Sequence, residues 1–180
     1  MTYHSLLYKP VVLASHGPEL SAFLEQLITT IETAPLPRRK AGNKKLGPDT
    51  EKAMKPALQN GFSGTKTAWI HDREPISAHH NDRPDFFTHL TLDGQPWVCI
   101  IEADPTRGDA IAKKFVSRVA CVSDASLINA LLIYVTLCFE GTQQGTIYES
   151  KKYMEFCANI SQNLSLPNKQ FVYLGFMPDL

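Results

Sequence analysis

The sequence predicts an α/β fold: a mixed central sheet flanked by helices, built as a single domain over residues 1–180. Three observations predict it. Leu20, Phe23, Leu24, Leu27, Ile28 and Ile31 recur at spacings of three and four, the signature of an amphipathic helix. Two apolar runs, Phe86–Leu92 and Trp97–Ile101, flank Asp93-Gly94, a strong two-residue hairpin signal. Beyond them, helical and strand patterns alternate to the C-terminus. A chain of 180 residues with 43% hydrophobic content can bury one adequate core.

The elements follow in order. Residues 3–14 are short and mixed, an extended lead-in that Gly17-Pro18 stops. Pro18 suits the first turn of a helix, which the apolar spacing carries to about Thr33. Pro35-Leu36-Pro37 ends it. Arg38-Arg39-Lys40-Ala41-Gly42-Asn43-Lys44-Lys45 is aperiodic and basic, so it reads as a loop. Asp49 to Asn60 is predicted as a short helix interrupted by Pro56. Lys66 to Ile70 is β-prone and is the expected first strand. Phe86–Leu92 and Trp97–Ile101 are the second and third, and the second of these two is apolar enough to be buried on both faces.

After the hairpin, Thr106 to Asp109 matches a capping box, and Ile111, Phe115, Val119 and Val122 form one stripe of the next helix. Leu127 to Phe139 reads as a buried strand. Tyr148 to Leu164 is helical, with Tyr153, Phe156, Cys157 and Ile160 as its core face. Gln170 to Phe176 is the last strand. The predicted order is α-β-β-β-α-β-α-β.

Formal net charge is zero and the sequence pI is about 7.0, so a nucleic-acid surface has to come from local patches. Cys99, Cys121, Cys138 and Cys157 lie in apolar segments without CxxC spacing, which reads as reduced thiols rather than a zinc site. The N-terminus has no basic region followed by an apolar one, and residues 127–139 are too short to span a bilayer. The expectation is a soluble, cytoplasmic protein with no membrane contact.

The chemistry concentrates at the hairpin. Glu102 and Asp104 follow the third strand's apolar run at a spacing of two, so they point to one face. Asp85 starts the partner strand. If the hairpin pairs as its turn dictates, three carboxylates converge at one end. Their repulsion is offset if they hold a divalent cation, and hard oxygen ligands suit Mg²⁺ or Mn²⁺. The plainer alternatives stay open: Asp85 beginning a turn after Pro84, Glu102 fraying into solvent, and Asp104 capping the next helix ahead of Pro105.

Pro84-Asp85 followed, after one hairpin, by Glu102-Ala103-Asp104 resembles the motif of the PD-(D/E)XK nucleases, the restriction-endonuclease-like superfamily. The motif-level likeness covers Pro84 to Asp104, and the element order extends it over most of the chain after residue 17. The resemblance implies a restriction-endonuclease-like core, metal ligation by Asp85 and Glu102, and a main-chain carbonyl at Ala103 facing Mg²⁺, for which Mn²⁺ substitutes. It also allows a glutamate of the first helix, Glu19, Glu25 or Glu32, as a further ligand, although solvated charges are the plainer reading there. The chain departs from the family at Asp104, which stands where a lysine is usual. Asp104 then adds a ligand or orients water, and the missing cation has to come from elsewhere.

Lys114 is the leading substitute. On a helical wheel it falls at the edge of the buried stripe, whereas Lys113 lies about 100° further round, toward solvent, and Arg118 falls within the stripe. The stem of Lys114 or Arg118 can cover apolar surface and deliver its cation to the carboxylates, and the plainer alternative is that the stems pack while the charges reach solvent.

DNA contacts are expected at Arg38, Arg39, Lys40, Lys44 and Lys45, through phosphates, and at Gln143 and Gln144, since glutamine can pair with adenine in the major groove. A solvated basic loop and a polar turn are the alternatives. The expected function is therefore a metal-dependent DNA endonuclease, of which a type II restriction enzyme is one form, with a homodimer or larger assembly compatible with it. The alternative is a catalytically inactive nucleic-acid-binding or assembly subunit that keeps the fold. An unrelated α/β protein with accidental carboxylates is the third reading.

Overall fold

A computed structural model describes residues 11–12, 17–36, 46–71, 83–103, 112–117, 129–135, 152–153, 155–157, 159–160, 163 and 171–176. The architecture is mixed α/β. Five strands form one sheet: β1 (Val11–Val12), β2 (Phe86–Leu92), β3 (Gln95–Ala103), β4 (Asn129–Val135) and β5 (Phe171–Phe176), in the spatial order β1-β5-β4-β3-β2. β2 and β3 are antiparallel, β3, β4 and β5 run parallel, and β1 closes the far edge antiparallel to β5. Parallel neighbours need crossovers. Residues 112–117, between β3 and β4, are helical, and so are 152–153, 155–157, 159–160 and 163, between β4 and β5.

The hairpin turn is what its sequence requires. Asp93 and Gly94 both have positive φ, 51° and 72°, the signs of a type I′ turn, which matches the twist of its strands. The register then pairs Leu92 with Gln95 and runs to Phe86 with Ile101. Because side chains alternate, Phe86, Trp97, Cys99 and Ile101 share one face and join the core cluster with α1 (Pro18–Thr33) and α2 (Leu46–Gly61). α1 contributes Leu20, Phe23, Leu24, Leu27 and Ile31, residues whose spacing predicted it. α2 adds Met54 and Leu58. Phe62 follows directly and lies 5.4 Å from the ring of Phe23 and 5.5 Å from Trp69. Val98 and Ile100 on the opposite face are also buried, so β3 is covered on both sides, as its apolar run implied.

Three expectations need correction. Lys66 to Ile70 is not a strand: only Ile70 bridges, to Phe87 at the outer edge of β2, although Thr88 Oγ1 also donates to the Ala68 carbonyl at 2.7 Å. This short stretch bonds to β2 at these points without building a ladder. Pro56 does not interrupt α2, which continues to Gly61. Packing of Met54 and Leu58 on either side of Pro56 outweighs the lost backbone bond. Finally, the lead-in contributes a true edge strand at Val11–Val12.

Candidate metal and phosphate site

Asp85 lies immediately before β2. Since Phe86 stands opposite Ile101, one further step along the same register sets Asp85 opposite Glu102. Both belong to the face turned away from α1 and α2, by alternation from Phe86 and Ile101. The helical segment 112–117 reaches that face and delivers Lys114 to it. Lys114 Nζ donates to Glu102 Oε2 at 2.8 Å and lies 4.0 Å from Asp85 Oδ2. The two carboxylate oxygens are therefore no more than 6.8 Å apart, the sum of those two distances.

Burial grades the three groups. The Glu102 side chain is 3% exposed, Asp85 19% and Lys114 32%. A carboxylate as enclosed as Glu102 has to be paired or to ligate a cation, because isolated burial of charge is too costly. Lys113 is exposed, as its place on the wheel predicted, and the nearby Phe115 is buried. Glu102 also stands next to the C-terminal end of β3, the end of a parallel strand beside which α/β sheets place their ligands.

Hard oxygen donors at one end of the β2–β3 hairpin fit a divalent cation of the Mg²⁺ type, and Asp85 and Glu102 are the described residues that could hold it. Among the described residues no group of three His, Cys, Asp or Glu side chains is arranged to hold a metal ion. Asp104, the expected third carboxylate, lies outside the described residues. So do Arg38, Arg39, Lys40, Lys44, Lys45, Gln143, Gln144, Cys121, Cys138 and Arg118.

Of the first-helix glutamates, Glu19 is removed from the site. It sits beside the hairpin turn, where its carboxylate accepts the Asp93 N–H. Gln95 to Glu102 spans seven residue steps along β3, roughly 23 Å at about 3.3 Å each. Glu25 lines an open groove between α1 and α2, on the face opposite Glu102.

Sequence reasoning missed the partner that closes the α1 N-terminus. Gly17 offers no side-chain cap, and Asp93 supplies it from the hairpin. The only available signal was the absence of Ser, Thr, Asp or Asn directly ahead of Pro18.

Cys99 and Cys157 are buried free thiols, and burial pushes both upward in pKa, Cys157 to about 12. Neither has the character of a nucleophile. Among the described residues no helix is long and apolar enough to cross a membrane. Neither a scan of protein-family models nor a search of curated protein sequences finds a match to this chain.

Proposed function

We propose that this chain is a metal-dependent endonuclease of the PD-(D/E)XK kind, hydrolysing phosphodiester bonds in DNA on a restriction-endonuclease-like core. The observation that carries the reading is the convergence of Asp85, Glu102 and Lys114 at the open end of the β2–β3 hairpin. Two carboxylates and a lysine on one face of the sheet are groups that metal-assisted phosphoryl hydrolysis can use. The mixed sheet with helical crossovers supports the same reading.

In it, Asp85 and Glu102 offer oxygen ligands to Mg²⁺ or Mn²⁺, with Asp104 as the third. A cation held there supplies Lewis-acid stabilisation of the phosphate and lowers the pKa of a bound water. Lys114 takes the part of the lysine missing at Asp104. Its ammonium adds positive charge where the phosphate gains negative charge, an electrostatic role rather than that of a base. Arg38, Arg39, Lys40, Lys44 and Lys45 contact backbone phosphates, and Gln143 and Gln144 read bases.

Incubation of the pure protein with plasmid and phage DNA in Mg²⁺, Mn²⁺ or EDTA tests the reading. Cleavage that needs the metal and disappears in Asp85→Ala and Glu102→Ala is expected. Metal-dependent DNA binding with no cleavage in any metal would move the chain to the non-catalytic subunit reading.

A further inference from the structure

Lys114 and a divalent cation have a claim on the same oxygen. Its ammonium lies 2.8 Å from Glu102 Oε2, a direct charge-assisted hydrogen bond, and 4.0 Å from Asp85 Oδ2. A Mg²⁺-type ion coordinates carboxylate oxygen at about 2.1 Å. A cation on Oε2 would therefore sit within a few ångströms of another positive charge. From this we infer that Lys114 is the resident counter-ion of the cation site, and that a phosphodiester anion draws it off Glu102 before the cation binds tightly. The inference rests on the endonuclease reading and concerns how its site is filled.

The two partners differ in how easily they move. Glu102 is 3% exposed on a strand paired on both sides, so its position is set by the sheet. Lys114 is 32% exposed at the end of a flexible four-carbon stem. An anion arriving from solvent meets the ammonium, not the carboxylate. When the ammonium turns toward a phosphate, one positive charge leaves Asp85 and Glu102, and their affinity for a cation rises. Phosphodiester and cation then bind with positive coupling, and the coupling is reciprocal. Without nucleic acid the site is held closed by the chain's own lysine, which limits metal loading to the moments when a substrate backbone is present.

The test is calorimetric titration with MnCl₂ of the wild type, Lys114→Met and Lys114→Arg, each alone and with a mixed-sequence duplex carrying hydrolysis-resistant phosphorothioate linkages. Without duplex, Lys114→Met is expected to bind Mn²⁺ about tenfold more tightly than wild type or more, since one positive charge beside the site is gone. Lys114→Arg keeps the charge and should stay within a few-fold of wild type. The duplex should tighten Mn²⁺ binding to wild type and do much less for Lys114→Met.

If Lys114→Met binds Mn²⁺ no better than wild type, the inference is overturned. Should that variant fail to fold, judged by its circular dichroism melt, the wild-type comparison decides: no gain from the duplex overturns the inference while leaving the metal site standing. If the wild type binds no Mn²⁺ with or without duplex, the endonuclease reading falls and the inference goes with it.

Discussion

Asp93 and Glu19 hold each other across 74 residues of sequence. The Asp93 carboxylate accepts the backbone N–H of Glu19 at 3.0 Å and of Leu20 at 3.1 Å, and the Glu19 carboxylate accepts the backbone N–H of Asp93. This is the reciprocal bonding of a capping box, assembled from two distant segments. It fixes the turn of the β2–β3 hairpin to the start of α1, so the hairpin that carries Glu102 at its other end is anchored to the core.

Replacing Asp93 therefore removes the cap of α1 and a residue that tolerates positive φ. Asp93→Ala is expected to cost about 2 kcal/mol in urea unfolding, combining the loss of an N-cap with the strain of alanine at φ 51°. Asp93→Asn should cost less, because asparagine accepts the left-handed conformation and can still cap. Gly17→Ala should also destabilise, because a Cβ there would collide with the Asp93 carboxylate and push it off the helix N-terminus. An unfolding midpoint unchanged by both alanine substitutions would show that turn and helix do not hold each other.

The buried thiols give a prediction in pH. Burial holds Cys157 protonated, with its pKa raised from 9.0 to about 12. A folded-state pKa above the unfolded one contributes stability that is fully present below pH 9 and is lost as pH rises toward 12. At pH 8 the thiolate fraction is lower in the folded protein than in the unfolded chain, by about a thousandfold for three pKa units. Native Cys157 and Cys99 should thus resist alkylation at pH 8 and react promptly in denaturant. Fast labelling of either, read by mass spectrometry in native buffer, would contradict their burial.

What the sequence revealed, and what it hid, follows from the range of the interactions. α1 was legible to its ends because its apolar period and Gly17-Pro18 are local signals, and the hairpin was legible because Asp93-Gly94 fixes its register. Lys114 was reached by the same logic, since helical phase separates it from Lys113. The Asp93 cap was not legible, because a bond over 74 residues leaves no local pattern. Lys66 to Ile70 misled because β-branched and aromatic residues favour strands only where a neighbour offers a ladder. Pro56 misled because its local penalty is outweighed by packing that no single-helix pattern records.

For nucleic-acid binding, the expectation lies in the basic run at residues 38–45. Serine substitution of Arg38, Arg39, Lys40, Lys44 and Lys45 together removes five cations. If each meets one phosphate, the slope of log K against log salt should flatten by up to about 4.5, at roughly 0.9 per contact on duplex DNA. Binding should weaken on all sequences alike, because phosphate contacts carry no base information. A slope unaffected by the five substitutions would mark these basic residues as solvated only.

The last prediction separates a lysine that acts on substrate from one that merely neutralises a buried carboxylate. Lys114→Ala removes the ammonium that bonds Glu102, whose side chain is only 3% exposed. Breaking a buried pair from one side costs about 3–5 kcal/mol. Lys114 is a third exposed, so solvent offsets part of this, and about 2 kcal/mol is the expected loss. Combining Lys114→Met with Glu102→Gln should recover much of it, since the buried charge is gone, but that double variant should not cleave DNA. Lys113→Ala should slow cleavage much less than Lys114→Ala, because its side chain is exposed. Cleavage is therefore to be compared at a temperature where Lys114→Ala is still folded, with Mn²⁺ binding measured on the same sample. A folded Lys114→Ala that binds Mn²⁺ and cuts as fast as wild type would assign the lysine to stability alone. One that binds Mn²⁺ and cuts at least about a hundredfold more slowly, within the range for loss of one oriented electrostatic contact, assigns it to the reaction.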